Sequence, residues 1–132
     1  MNWIMPKDWK IRYKQELDLS KKYKEEGNLN ESWRHLERAH LIGQYYPAPH
    51  TGSHFRMLLF AIEQKDRKEI LGQLLRVSLG WLGSWLNRIP VGNTGGANVP
   101  IMQPMPIPKD LLDLLTNADQ EAKGLSGLKT RT

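Results

Sequence analysis

A chain of 132 residues and 15.3 kDa, with 39% hydrophobic and 25% charged residues, is long enough for one modest buried core and too short for a two-domain enzyme. It contains no cysteine, which excludes disulfide scaffolds, thiolate zinc sites, iron–sulfur clusters and cysteine nucleophiles together. The net charge of +5 permits anionic partners, yet residues 1–66 carry 11 basic and 9 acidic groups and residues 67–132 carry 8 and 5, so no basic face is gathered and no nucleic-acid partner is expected.

The N-terminus, Met1 to Pro6, has neither the basic head nor the apolar stretch of a signal peptide, which points to a cytoplasmic protein. Trp9, Tyr13, Leu17, Ser20 and Lys24 recur every three or four residues, which predicts a first helix over 8–26 with Asp8 as its N-cap. Gly27-Asn28 stops it, and Asn30 then caps a second helix, Glu31 to Gln44, with Trp33, Leu36, His40 and Gly43 on one stripe. So short a turn makes the two helices antiparallel.

Tyr45-Tyr46-Pro47-Ala48-Pro49 breaks the pattern, because proline has no N–H and restrains its predecessor. A third helix is predicted from Thr51 or Ser53. Its body, Phe55 to Ile62, is apolar nearly all round, as in a helix packed between neighbours. A turn at 64–66 leads into a fourth helix that carries Ile70, Leu74, Leu75, Val77, Leu79, Trp81 and Trp85 and ends before Pro90. Gln73 and Arg76 interrupt its apolar run, so no membrane span is expected.

Five of the eight prolines fall between Pro90 and Pro108, so this stretch reads as an irregular strap across the helices. Residues 110–115 form a short amphipathic pattern, and 118–132 read as a disordered polar tail. The fold class is therefore all-α: a single domain over 1–117, built of two consecutive antiparallel helical hairpins, with the Pro/Gly-rich strap at 90–108. The string Glu26-Gly27-Asn28-Leu29 followed by His35-Leu36-Glu37-Arg38-Ala39 resembles a tetratricopeptide repeat over about 34 residues, which implies a helical scaffold able to hold a peptide.

With cysteine absent, metal or acid–base chemistry falls to histidine and carboxylate, and all 4 histidines lie between His35 and His54. Glu37 and His40 have the Glu-x-x-His spacing that helical bundles use around metals. His50 and His54 are four apart, which puts both imidazoles on one side of the third helix. An antiparallel hairpin brings His40 to the same end as His50 and His54, while His35 lies a turn deeper and about 140° round the helix. Such a set suits zinc, copper, nickel or iron(II), and the ligand types alone do not choose among them. The residues equally allow a core role for His40, a loop cap at His50 and a surface ion pair of Glu37 with Arg34 or Arg38.

The string Pro90-Val91-Gly92-Asn93-Thr94-Gly95-Gly96-Ala97-Asn98-Val99 lacks the Lys-Ser/Thr ending of a phosphate loop and reads as a turn. Ser53 next to His54 is sequence adjacency and not a triad, so catalysis is not expected.

Taken together, His35-Leu36-Glu37-Arg38-Ala39-His40, Gly72-Gln73-Leu74-Leu75-Arg76, Pro90-Val91-Gly92-Asn93-Thr94-Gly95 and Pro104-Met105-Pro106-Ile107-Pro108 resemble a small bacterial family known only as domain of unknown function 3703, over about residues 31–110. The resemblance implies a setting among metal-efflux and metal-resistance genes and no established activity. The expectation is a non-catalytic helical protein that binds a divalent transition metal through His40, His50 and His54, with Glu37 or His35 completing the set. The alternative is a metal-free interaction scaffold that binds a protein partner or itself through Trp81 and Trp85.

Overall fold

The structure is a computed structural model that describes residues 4–85, 94–98 and 105–115. The Trp81 and Trp85 side chains, most of the 90–108 strap and the 118–132 tail lie outside the described residues. Among the described residues five helices follow one another: α1 (Lys7–Glu25), α2 (Leu29–Gly43), α3 (Pro47–Glu63), α4 (Arg67–Trp85) and α5 (Lys109–Leu115). There is no strand among the described residues. α1 packs on α2 and α3 on α4, and α2 also packs on α3, so the all-α fold is two consecutive hairpins joined through their middle helices. No helix among the described residues is long and apolar enough to cross a membrane.

The helix ends correct the expected caps. Pro6, not Asp8, precedes α1; its carbonyl accepts the Lys10 N–H at 2.9 Å, and Asp8 sits in the first turn, where a carboxylate favours the exposed N–H groups. Gly27, at φ 79°, makes the left-handed turn, and Asn28 rather than Asn30 caps α2 by accepting the Glu31 N–H at 3.2 Å. The start of α3 moves furthest. Tyr46 is extended, and Pro47 occupies the first helical position, where a missing N–H loses no bond and the fixed φ is already helical. The prolines that end α2 therefore open α3, and His50 lies inside the helix.

The buried cluster of Trp9, Leu41, Ile42, Tyr46, Ile107 and Leu111 ties α1, the end of α2 and α5 together. Trp9 meets Tyr45 and Tyr46 edge-on at 6.0 and 5.6 Å. The central helix is α2, which buries nine of its residues from Ser32 to Gly43. α3 is not enclosed as its composition suggested: Phe55, Leu59 and Ile62 are about half exposed, and its buried side carries His50, Ser53, His54, Met57, Leu58 and Ala61. Among the described residues α2 and α4 make its main contacts, and the apolar residues on its other side face solvent.

A buried ionic network fastens the first hairpin to α5. Glu16 Oε1 accepts from Arg12 Nε and Arg38 Nε, each at 3.0 Å, and Glu16 Oε2 lies 2.5 Å from His35 Nδ1. Arg38 also forks onto the Asp110 carboxylate of α5. Where the hairpin crosses, Ser20 and Ser32 each donate a hydroxyl to the other's carbonyl at 2.8 Å.

Candidate metal centre

The site lies where the two hairpins meet. His40 is in the last turn of α2, and His50 and His54 occupy the first two turns of α3, one turn apart on one side. Gly43 allows the junction to be this tight: a Cβ there would stand 3.0 Å from the Tyr13 ring and 3.1 Å from Pro49. Tyr13 holds the start of α3 from outside, its hydroxyl donating to the Pro49 carbonyl at 3.0 Å with Ser53 Oγ at 3.2 Å. Burial pushes that phenol above its ordinary pKa.

The three imidazoles converge through one atom each. His40 Nε2 lies 3.1 Å from His54 Nε2 and 3.1 Å from His50 Nε2, and His50 Nε2 lies 3.2 Å from His54 Nε2. All three side chains are buried, with relative exposures of 2%, 6% and 3%. An imidazole nitrogen carries either one proton or one lone pair, so at most two of the three contacts can be hydrogen bonds at once. A single cation between them engages all three lone pairs together, and the group could hold a metal ion. Burial first, then the neighbouring His50 and Arg76 charges, pushes His54 down to about 3, against the opposing pull of its Gln73 hydrogen bond. It is the neutral ring, the form a metal ligand needs, that this surrounding favours.

Behind His54 stands Gln73 of α4, fully buried, with its Oε1 2.8 Å from His54 Nδ1. The Gln73 amide donates to Glu69 Oε1 at 2.6 Å and to the Gly95 carbonyl at 2.7 Å. Glu69 in turn accepts the Ala97 N–H on both oxygens, at 2.9 and 3.0 Å. This seats residues 94–98 over the site. Gly95, at φ 86°, passes so near His40 that a Cβ would fall 3.0 Å from the ring. Residues 94–98 thus lie against α2 and α4 at this point.

Glu37 and His35 stand outside the three-histidine group. Glu37 accepts the Trp33 indole N–H at 2.8 Å and lines an open groove with Trp33, Phe60, Asp66 and Glu69. His35 faces α1, bonded to Glu16 and stacked on Tyr23 with ring centroids 5.4 Å apart. Sequence reasoning missed Gln73, Glu69 and Gly95 as parts of the site. A lone glutamine inside the most apolar stretch was the available signal, since a buried amide needs partners for both of its ends.

Fold and site together define a small all-helical protein with a buried three-imidazole cluster at the junction of two hairpins. The chain belongs to the family described as protein of unknown function (DUF3703), whose model matches residues 7–115. No curated protein and no solved structure matches it.

Proposed function

We propose that this protein binds a divalent transition-metal ion through His40, His50 and His54, in the metal-resistance setting that the family resemblance implies. The observation that carries the reading is the mutual approach of three buried Nε2 atoms to 3.1–3.2 Å. Ligand nitrogens about 2.0–2.1 Å from one zinc ion in tetrahedral geometry stand about 3.3 Å apart, so the rings need only a slight adjustment to close on an ion. Burying three imidazoles in contact costs stability unless something engages them, which supports a retained ligand role. Glu37 and His35 take no part in it; each has a partner of its own.

The test is titration of chelator-treated, tag-free full chain with zinc, followed by calorimetry and thermal melting. Zinc at 100 times its dissociation constant is expected to stabilise the fold by about 2.7 kcal/mol. His40→Ala and His54→Ala are each expected to remove tight binding, and His35→Phe to leave it unchanged. Wild-type protein that shows no zinc binding tighter than micromolar, or His40→Ala and His54→Ala proteins that bind as well as wild type, would overturn the reading.

A further inference from the structure

We propose that Gln73 is the positioning residue of this metal centre, holding His54 in the tautomer that aims an Nε2 lone pair at the ion. The inference rests on the metal-binding reading and adds to it a residue and a class of ion. The argument starts at the Gln73 amide. One end lies 2.6 Å from a carboxylate oxygen of Glu69 and 2.7 Å from the Gly95 carbonyl, and both of those groups only accept. That end must be the NH2, with each proton used.

The other end is then the carbonyl oxygen, 2.8 Å from His54 Nδ1. A carbonyl also only accepts, so Nδ1 carries the proton. A neutral imidazole protonated at Nδ1 has its lone pair on Nε2, and this is the atom that faces His40 and His50. The amide cannot turn over without setting its oxygen against Glu69 and Gly95. Residues 94–98 are part of the same lock, since Gly95 supplies one acceptor and Ala97 holds Glu69 by both oxygens. Ligating histidines elsewhere are fixed in this way through the ring nitrogen remote from the metal, and losing such a partner weakens metal affinity by about 10–100-fold.

The lock also bears on which ion fits. A planar three-coordinate ion with bonds of about 2.0 Å needs nitrogens about 3.5 Å apart, wider than the 3.1–3.2 Å found. An ion at zinc–nitrogen distance would instead stand about 1 Å off the plane of the three nitrogens, with N–metal–N angles near 100°. That is one face of a tetrahedron or octahedron, the geometry of zinc, cobalt(II) or nickel(II) rather than of planar copper(I).

Long-range proton–nitrogen NMR of the imidazoles, on metal-free and zinc-loaded full chain, reads the tautomer directly. His54 is expected to show the Nδ1–H form in both states. The Gln73→Leu protein, with its fold checked by circular dichroism, is expected to lose that preference and to bind zinc 10–100-fold more weakly. A metal-free wild type with the proton on His54 Nε2 overturns the proposal whether or not Gln73→Leu folds, and so does a folded Gln73→Leu protein with wild-type zinc affinity. Uptake of copper(I) but of neither zinc nor cobalt(II) overturns the choice of ion. If wild-type protein binds no metal at all, the metal reading itself fails, and the NMR result separates that outcome from a wrong assignment of Gln73.

Discussion

Glu16 offers the sharpest test of how this small fold is held together. Its carboxylate is 1% exposed and takes hydrogen bonds from Arg12, His35 and Arg38. Arg38 and His35 are themselves buried, so Glu16→Ala strands a guanidinium and an imidazole that retain only peripheral carboxylate partners, at Asp110 and Glu31. Breaking a buried pair from one side costs about 3–5 kcal/mol, a large part of the 5–15 kcal/mol that holds a typical domain. Glu16→Leu fills the volume without the charge and should lose nearly as much. The triple replacement Glu16→Leu, His35→Phe and Arg38→Met removes every buried member at once and should return close to wild-type stability, because the stranded groups are gone. Guanidinium unfolding followed by circular dichroism and tryptophan fluorescence measures all three. A loss below about 1 kcal/mol for Glu16→Ala, or a triple variant weaker than the single one, would refute the claim that stranded charge sets the cost.

The same network reaches solvent at Asp110, where the Arg38 guanidinium, with Arg12 beside it, holds the carboxyl below its ordinary value of 3.8. With the folded value under the unfolded one, this stabilisation is complete above the ordinary value and is lost as pH falls through the lowered one; stability should rise with pH across that window, and Asp110→Asn should flatten the rise. Leu111→Ala, at a fully buried position against Trp9, Leu41 and Ile42, should cost about 2–5 kcal/mol in chemical unfolding. Gly95→Ala combines a left-handed backbone with a Cβ 3.0 Å from the His40 ring, so it should cost at least about 1–2 kcal/mol and also weaken zinc binding in calorimetry.

The helical periods, the Gly27 turn and the short Asp110–Leu115 pattern each depend on neighbours within one or two turns, and they were legible in the sequence. The convergence of His40, His50 and His54 at one end was legible for the same reason, because a short connection and i,i+4 spacing fix it locally. Pro47-Ala48-Pro49 misled the reading of α3: a proline pair both ends one helix and suits the first turn of the next, and only the extended Tyr46 decides where one stops and the other starts. His35 was open to misassignment because its partner Glu16 lies on another helix, nineteen residues away. Glu69, Gln73 and Gly95 join the site through contacts between α4 and a loop beyond it; the glutamine in an apolar run signals that a buried amide needs partners, but nothing local says which side chains those are.

The distribution of polarity in this fold is unusual. Among the described residues thirteen polar or charged side chains are buried against eleven hydrophobic ones, while Phe55, Leu59, Ile62, Leu71, Leu74, Leu75 and Leu79 of α3 and α4 are about half exposed or more. A chain selected for stability alone would reverse this, since burying one such leucine or phenylalanine is worth about 1.5–3 kcal/mol and burying an imidazole without a strong partner is unfavourable. Between α1 and α2, Glu16 pairs with His35 and Arg38, and Ser20 with Ser32. Between α2 and α3, His50 and His54 turn one nitrogen each toward His40, in a triangle that hydrogen bonds alone cannot complete. The buried polar groups between α1 and α2 are thus met by protein partners, whereas at the junction of α2 and α3 the three imidazoles of His40, His50 and His54 form a set that, on the metal-binding reading proposed above, a single cation would complete.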